Sequence, residues 1–167
     1  RERAAGLDFS AVTAFALDEY VGLPRDHPES YHSVIRREVT EPLGLDPARV
    51  HVPDGDEATI ATAGERYEAA LAAHGGVDLQ LLGIGTDGHV GFNEPGSPRE
   101  SRTHLVFLDS ITRADAASDF FGEENVPLEA ITMGVASIMD AREIALLATG
   151  EHKARIVKRA VEGEVHP

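Results

Sequence analysis

The sequence predicts an α/β fold, a Rossmann-like three-layer sandwich with helices on both faces of a mostly parallel sheet. Two observations predict it. Short apolar runs alternate with amphipathic helical segments along most of the chain, which is the pattern of βαβ units. One run, at 78–83, leads into a glycine-rich turn followed by titratable side chains, as strands do at the ligand-binding edge of open α/β sheets. With 167 residues, 42% hydrophobic content and no internal repeat, the chain is expected to form a single domain over 1–167.

Composition and charge exclude several classes of function. A formal net charge of −14 and a pI near 4.8 argue against nucleic-acid binding, which needs a basic face. No apolar run approaches the roughly 18 residues that span a bilayer, so no membrane partner is expected. The sequence has no cysteine, which excludes disulfides and thiolate metal sites and fits a reducing compartment. We therefore expect a cytoplasmic protein.

Capping residues and breaks delimit the predicted elements. Ser30, Asp56 and Ser110 are placed to cap helices, and Pro42 is placed to break one. Segment 131–140 carries both strand and helix signals and is left undivided. The predicted strands lie at 11–17, 50–52, 78–83, 103–108 and 143–148, and the predicted helices at 31–40, from 56 to the glycines at 75 and 76, at 111–121 and at 151–162.

The two ends of the chain carry a further expectation. Residues 1–10 suggest the tail of a helix followed by a loop, and the chain stops shortly after the last predicted helix. Both ends look cut from something longer.

A glycine pattern after the strand at 78–83 raises the question of nucleotide binding. Gly83, Gly85 and Gly88 form G-x-G-x-x-G, and Asp109 lies near the usual distance of a ribose-binding acid. The dinucleotide fingerprint, however, needs a helix that starts at the third glycine. Segment 89–102 contains two further glycines and two prolines, which prevent a regular helix. The pattern thus disfavours a nucleotide site.

The same loop concentrates polar side chains that can carry chemistry. Asp87, His89 and Glu94 lie within eight positions of one another. A histidine flanked by two carboxylates can be oriented and tuned as a general acid or base near neutral pH. Asp, His and Glu could also ligate a divalent metal ion, and a loop held by its own hydrogen bonds is a third interpretation. Residue types alone leave these three open.

Two more residues are candidates because of their place at the predicted sheet edge. Asp18 follows the first predicted strand, where open α/β sheets place ligand contacts, although an aspartate there can simply cap the next turn. Lys153 lies in the first turn after the strand at 143–148, where a cation beside helix amides can hold a phosphate. The alternative is an ordinary solvent-facing lysine on a charged helix.

Taken together, the motifs resemble those of the glucosamine-6-phosphate deaminase family. The resemblance covers nearly the whole chain in order, and the FNEP ending is its most specific part. The motifs that carry the resemblance are LDEYVGL at 17–23, HPESY at 27–31, GIGTDGHVGFNEP at 83–95, SRT at 101–103, TMGV at 132–135, Gly150, Lys153, and VEG at 161–163. The related 6-phosphogluconolactonases share the Asp-Gly-His loop but lack the DEY and FNEP motifs.

The resemblance implies a reaction and a role for each candidate. D-Glucosamine 6-phosphate and water would give fructose 6-phosphate and ammonia, with no cofactor and no metal. By this analogy His89 would open the pyranose ring, Asp87 and Glu94 would orient and tune His89, and Asp18 would move the proton from C2 to C1. Lys153 matches a phosphate ligand. The partner would be a small amino-sugar phosphate, and a homo-oligomer is compatible with the family.

The sequence departs from the family pattern at its start and at the phosphate end. The resemblance implies an N-terminal βα unit with a phosphate-binding Thr/Ser-Gly loop, and this unit is expected to be missing here. Asp119 stands where the family commonly has an arginine, so Arg113 or another cation would have to substitute. His104 and Val106 stand where allosteric members place basic residues, which argues against activation by N-acetylglucosamine 6-phosphate. Two alternatives to the deaminase therefore stay open: a 6-phosphogluconolactonase-like hydrolase and a non-catalytic sugar-phosphate-binding module.

Overall fold

The computed structural model describes residues 6–164, in which short strands alternate with helices. The strands are β1 (Ala14–Phe15), β2 (Asp18–Tyr20), β3 (Val50–His51), β4 (Leu79–Leu82), β5 (His104–Phe107), β6 (Glu129–Thr132) and β7 (Glu143–Leu146). The α-helices are α1 (Tyr31–Ile35), α2 (Glu41–Leu43), α3 (Ile60–Ala73), α4 (Ser110–Ala116), α5 (Val135–Met139) and α6 (Ala154–Glu162). A π-helical turn, Arg36–Thr40, joins α1 to α2, and 3-10 turns lie at Pro47–Arg49, Glu123–Asn125 and Glu151–Lys153. The mixed α/β class predicted from the sequence is confirmed.

The seven strands form three small sheets. Strand β1 pairs in parallel with β3, and β4 pairs in parallel with β7. Strand β6 runs antiparallel between β2 and β5, so that Thr132 lies opposite both Asp18 and His104. Four of the seven strands thus belong to parallel pairs. The other three form an antiparallel sheet, which the alternation of strands and helices in the sequence does not predict.

The core consists of two aromatic and aliphatic clusters. One joins the antiparallel sheet to the loop after β4, because it includes Tyr20, Phe92 and Phe120. The other packs α3 and α5 around Leu82 and the fully buried Met133. Burial of an aromatic or aliphatic side chain stabilises the fold by about 1.5–3 kcal/mol. Since Phe92 belongs to the first cluster, the loop that carries the candidate residues is fixed to the core.

The described residues cover one face of β4. Leu82 and Gln80 are buried, at 7% and 5% exposure, whereas Leu79 and Leu81 on the opposite face are 53% and 54% exposed. Successive side chains of a strand point to opposite faces, so this pattern shows that the described residues pack against only one face of β4. Among the described residues no helix has the length and apolar character to cross a bilayer.

Several predicted boundaries are wrong for local reasons. Residues 18–20, expected to start a loop, form β2, because backbone pairing with β6 extends the chain there. Pro42 does not break the first helical segment, since it occupies the first turn of α2, where a missing N–H costs nothing. That segment ends at Gly44, which was predicted together with Pro42 to break it and has φ +69° in the left-handed region.

Two predicted caps also need correction. Asp56 accepts a hydrogen bond from the Ala58 amide in a turn that precedes α3, and the helix begins only after Thr59. Helix α4 is capped by Asp109, not by Ser110, and it ends at Ala116, well before the predicted 121. The cap predicted at Ser30 is confirmed. The helix tail expected at the start of the chain falls largely on residues 1–5, outside the described range.

Candidate active site

The predicted site residues gather at one cavity of about 420 Å³, here called the Asp18 cavity. Asp18, His89 and Lys153 line it, although they come from β2, the loop after β4 and the turn before α6. Asp87 and Glu94 do not line the cavity and instead lie behind His89. The structure thus brings together all five residues singled out from the sequence.

Asp18 is held in an enclosed position at the start of β2. The close approach of the loop requires Gly91, whose φ is +58° and where an added Cβ would lie 2.9 Å from Thr132 Oγ1 and 3.4 Å from Asp18 Oδ2. The carboxylate keeps some accessible surface at the cavity but is otherwise surrounded by protein. Burial, with a smaller contribution from the charge of Glu19, raises the pKa of Asp18 to about 7. Such a carboxylate can both accept and return a proton near neutral pH.

His89 is oriented by the glycine turn and by two carboxylates. The Gly85 amide donates to the His89 carbonyl at 2.8 Å, and a Cβ on Gly85 would overlap the imidazole ring. His89 Nδ1 lies 2.8 Å from Asp87 Oδ1 and 3.7 Å from Glu94 Oε2. The shorter contact lacks the alignment of a hydrogen bond, so its attraction is mainly electrostatic. Because both carboxylates face Nδ1, Nε2 is the nitrogen left for the cavity.

The two carboxyl groups behind His89 titrate differently. Burial, reinforced by Asp87 and Asp109, raises the pKa of Glu94, while Thr112 Oγ1 donates to Glu94 Oε1 at 2.5 Å. For Asp87 the effect of burial is outweighed by the hydrogen bond from the His89 amide together with the influence of Glu94 and His89, and its pKa is lowered. The surroundings therefore favour the protonated form of Glu94 and the ionised form of Asp87, so that less negative charge faces the imidazole than two equally acidic carboxyl groups would give.

The loop is secured by residues that sequence analysis did not single out as structural anchors. Asn93 is buried and donates to the Val90 and Met133 carbonyls at 3.0 and 2.8 Å. Thr132 Oγ1 accepts from the Phe92 amide at 3.1 Å. Burying polar groups is tolerable only when they are hydrogen-bonded, as these are. The NEP motif could have drawn attention to Asn93. No pattern in the sequence predicts the contact between Thr132 and Phe92, which lies forty positions earlier.

Tyr31 is a cavity residue that sequence reasoning assigned only to a helix face. It lines the Asp18 cavity at the start of α1 and stacks on Tyr20 with ring centroids 5.5 Å apart. Burial, together with the charge of Asp18, raises the pKa of Tyr31 well above its ordinary value. The phenol therefore stays protonated and can donate a hydrogen bond into the cavity.

Lys153 also lines the cavity. The residue ends a 3-10 turn and directly precedes α6. Among the described residues that line the cavity it is the one lysine or arginine, and Asp115 of α4 lines the cavity as well. Arg113 does not take the place of a second cation: its Nη2 donates to the Glu123 carbonyl at 2.7 Å. Asp119 is exposed and does not line the cavity.

Comparison with known proteins decides the family. The family described as glucosamine-6-phosphate isomerases/6-phosphogluconolactonase matches residues 1–167. The chain belongs to this family. A curated glucosamine-6-phosphate deaminase of Pseudarthrobacter chlorophenolicus is 57% identical over 162 residues, which is 97% of this chain and 62% of that protein. The resemblance drawn from the motifs is confirmed at the level of the family.

Solved structures show the same fold. A monomeric glucosamine-6-phosphate deaminase superimposes with a TM-score of 0.95 at 38% identity, over 99% of this chain and 68% of that one. The 6-phosphogluconolactonase of Trypanosoma brucei gives a TM-score of 0.69 at 22% identity, over 91% and 63% of the two chains, which shows the fold alone. The chain spans about 62% of the length of the curated relative that it matches.

The residue types behind His89 would also suit a metal ion. Asp87, His89 and Glu94 each offer one donor atom, and these atoms lie within 4.8 Å of one another. Glu94 Oε1, however, already accepts a hydrogen bond from Thr112, and the raised pKa of Glu94 disfavours its ionised form. A ligating carboxylate must be deprotonated. The electrostatics therefore favour acid–base chemistry over metal binding at these three residues.

Proposed function

We propose that the protein is a glucosamine-6-phosphate deaminase, which converts D-glucosamine 6-phosphate and water to D-fructose 6-phosphate and ammonia. The observation that carries this proposal is that Asp18 and His89 face one cavity that also contains Lys153. An enclosed carboxylate, an oriented imidazole and a cation are what ring opening, proton transfer and phosphate binding require. The partner would be a small amino-sugar phosphate, without a cofactor or a resident metal.

In this proposal His89 opens the sugar ring. Its Nε2 would take the proton from O1 and return it to the ring oxygen, which gives the open-chain aldehyde. The ionised Asp87 beside Nδ1 stabilises the imidazolium that forms during the transfer. The raised pKa of Glu94 limits the negative charge near His89, and a larger negative charge would make the imidazolium less ready to give up its proton.

Asp18 then carries out the isomerisation. The carboxylate takes the proton from C2 of the open-chain amino sugar and delivers it to C1 of the resulting enolamine. The imine left at C2 reacts with water, which gives the ketone and releases ammonia. The transfer needs a base that is ionised before the step and neutral after it, and a pKa near 7 allows both states.

The named relatives support the deaminase over the lactonase. The deaminase of P. chlorophenolicus is 57% identical, whereas the T. brucei lactonase is 22% identical and is similar in fold only. The proposal includes a hydrolytic reaction in amino-sugar catabolism and a cytoplasmic location, the latter inferred from the absence of cysteine. A homo-oligomer stays compatible with it.

Ammonia release tests the proposal. Purified protein incubated with glucosamine 6-phosphate should release ammonia and fructose 6-phosphate in equal amounts, with and without EDTA. Hydrolysis of 6-phosphogluconolactone with no ammonia from the amino sugar would establish the lactonase alternative. Thermal stabilisation by glucosamine 6-phosphate without turnover would establish a binding module, and inhibition by EDTA would restore the metal interpretation.

A further inference from the structure

The most completely bonded carboxylate in the described structure is that of Glu19, which the proposed reaction does not use. Glu19 is 3% exposed. Its Oε1 accepts from the Tyr20 and Tyr31 amides at 2.8 and 3.0 Å. Its Oε2 accepts from Ser30 Oγ at 2.8 Å and from the His32 amide at 3.1 Å, and lies 2.8 Å from His32 Nδ1. A buried carboxylate is tolerated only when it is satisfied in this way.

These bonds fix the state of both partners. Burial would raise the pKa of Glu19, but the hydrogen bonds from His32, Tyr31 and Ser30 outweigh it and lower that pKa. Glu19 is therefore ionised. A carboxylate can only accept, so His32 Nδ1 must carry a hydrogen. The contact is a directed hydrogen bond whether or not the ring is charged.

Glu19 lies directly behind Asp18. Successive side chains of a strand point to opposite faces, so Asp18 faces its cavity while Glu19 faces the other side. That side opens into a second cavity of about 570 Å³, which Glu19 and His32 line. The carboxylate of Glu19 also binds the first amides of α1, the helix that carries Tyr31 into the Asp18 cavity. One side chain thus ties the strand of Asp18 to the helix of Tyr31.

Glu19 acts on Asp18 through its charge as well as through its hydrogen bonds. After burial, that charge is the second cause that raises the pKa of Asp18. Besides Asp18, the titratable groups next to Glu19 are Tyr20 on β2 and Tyr31 and His32 on α1. The charged groups that share the second cavity with His32 are Arg25, Asp54, Asp56 and Glu57. Of all these, His32 alone combines a side-chain hydrogen bond to Glu19 with access to the second cavity.

We propose that Glu19 and His32 are positioning residues for Asp18, which hold β2 against α1 and set the pH range in which Asp18 works. The inference rests on the proposed function, because it concerns the base of that reaction. The hydrogen bond from His32 Nδ1 draws negative charge on Glu19 Oε2 away from Asp18, and the charge of Glu19 opposes the ionisation of Asp18. Loss of the His32 donor, with Glu19 still ionised, and loss of the Glu19 charge should therefore act on Asp18 in opposite directions.

The test compares three variants by the pH profile of kcat/KM with glucosamine 6-phosphate. Glu19→Gln removes the charge and should move the acid limb to lower pH, by about one unit for a charge at this range. His32→Phe removes the donor to Oε2 and should move the limb to higher pH. His32→Asn retains an N–H near the place of Nδ1 and should restore the wild-type limb, which makes it the matched control.

The outcomes separate this inference from the proposed function. If Glu19→Gln fails to fold, the two His32 variants still decide the matter, because their profiles should differ from each other. Coincident acid limbs in wild type, His32→Phe and His32→Asn, with the wild-type limb abolished by Asp18→Asn, would overturn the positioning role alone. A wild type with no deaminase activity would overturn the proposed function and the inference that rests on it.

Discussion

Two groups of residues at the Asp18 cavity, here called the acid–base end and the cation end, differ in how much of the protein supports them. At the acid–base end, His89 is held by a glycine turn and two carboxyl groups, and Asp18 is enclosed beside Gly91 with Glu19 behind it. The cation end is Lys153, which belongs to a single 3-10 turn, and Asp115 lines the same cavity. A group that moves protons must be held in one place and at one pKa, whereas a cation needs only to reach its anion.

The largest expected effect is at His89. His89→Gln keeps the size and polarity of the side chain but cannot shuttle a proton, and a positioned acid or base contributes about 10²–10⁴-fold. We expect kcat for ammonia release to fall by about that factor. His104→Gln, whose ring bonds only the Arg102 carbonyl, is the control and should retain wild-type kcat. Equal activity of the two variants would contradict a role for His89.

The next largest expected effect is on the stability of the folded protein, which the buried carboxyl of Asp18 should reduce. The pKa of Asp18 is raised from 3.8 to about 7. Below about pH 4 Asp18 is protonated in both the folded and the unfolded protein, so it does not destabilise the fold. As the pH rises from about 4 to 7, Asp18 ionises in the unfolded protein but not in the folded one, and the free energy of unfolding falls. At roughly 1.36 kcal/mol per unit, Asp18→Asn should be more stable than wild type at pH 8 by on the order of 4 kcal/mol.

Urea unfolding at pH 5 and pH 8 measures this difference. The gap between Asp18→Asn and wild type should widen from the lower to the higher pH. Asp26→Asn, in an exposed loop, should show no such gap at either pH. A constant gap would mean that Asp18 titrates near its ordinary value in the folded protein.

The cation end should respond in binding instead. Lys153→Gln removes a charged hydrogen bond, which is worth about 1.5–3 kcal/mol, so KM should rise roughly ten- to a hundredfold with a smaller change in kcat. Lys158 lies on α6, which follows Lys153, and its side chain is 74% exposed and paired with Glu162, so Lys158→Gln should leave KM unchanged. If kcat falls by the same factor by which KM rises, Lys153 takes part in more than phosphate binding.

The smallest effect is expected at Asp115. An acid on the cavity wall repels the phosphate, and because it is largely exposed the repulsion is screened by solvent. Asp115→Asn should lower KM by a few-fold, most clearly at low ionic strength. An increase in KM would show that Asp115 binds the sugar or its amine directly.

The sequence predicts the acid–base end better than the cation end, for physical reasons. Asp87, His89 and Glu94 are close in the chain, and the glycines between them announce a turn with special geometry. Asp18 and Lys153 are predicted from a general property of sheet edges, and the cavity contains both. Their roles in catalysis stay predictions.

What the sequence could not predict depends on long-range pairing. Thr112 bonds Glu94 across eighteen positions, and the antiparallel pairing of β2 with β6 spans more than a hundred. Neither leaves a periodic signal, so residues 18–20 were assigned to a loop. Glu19 was passed over for the same reason, because its partners lie on α1 and only the folded chain shows that it is buried.

The central claim is that Asp18 moves the proton from C2 to C1, and substrate deuterated at C2 tests it most directly. The account predicts a primary isotope effect on kcat/KM, deuterium found at C1 of fructose 6-phosphate in part, and an acid limb near pH 7, all lost in Asp18→Asn. An isotope effect and a C1 label that persist in Asp18→Asn would contradict it, since another group would then be the base.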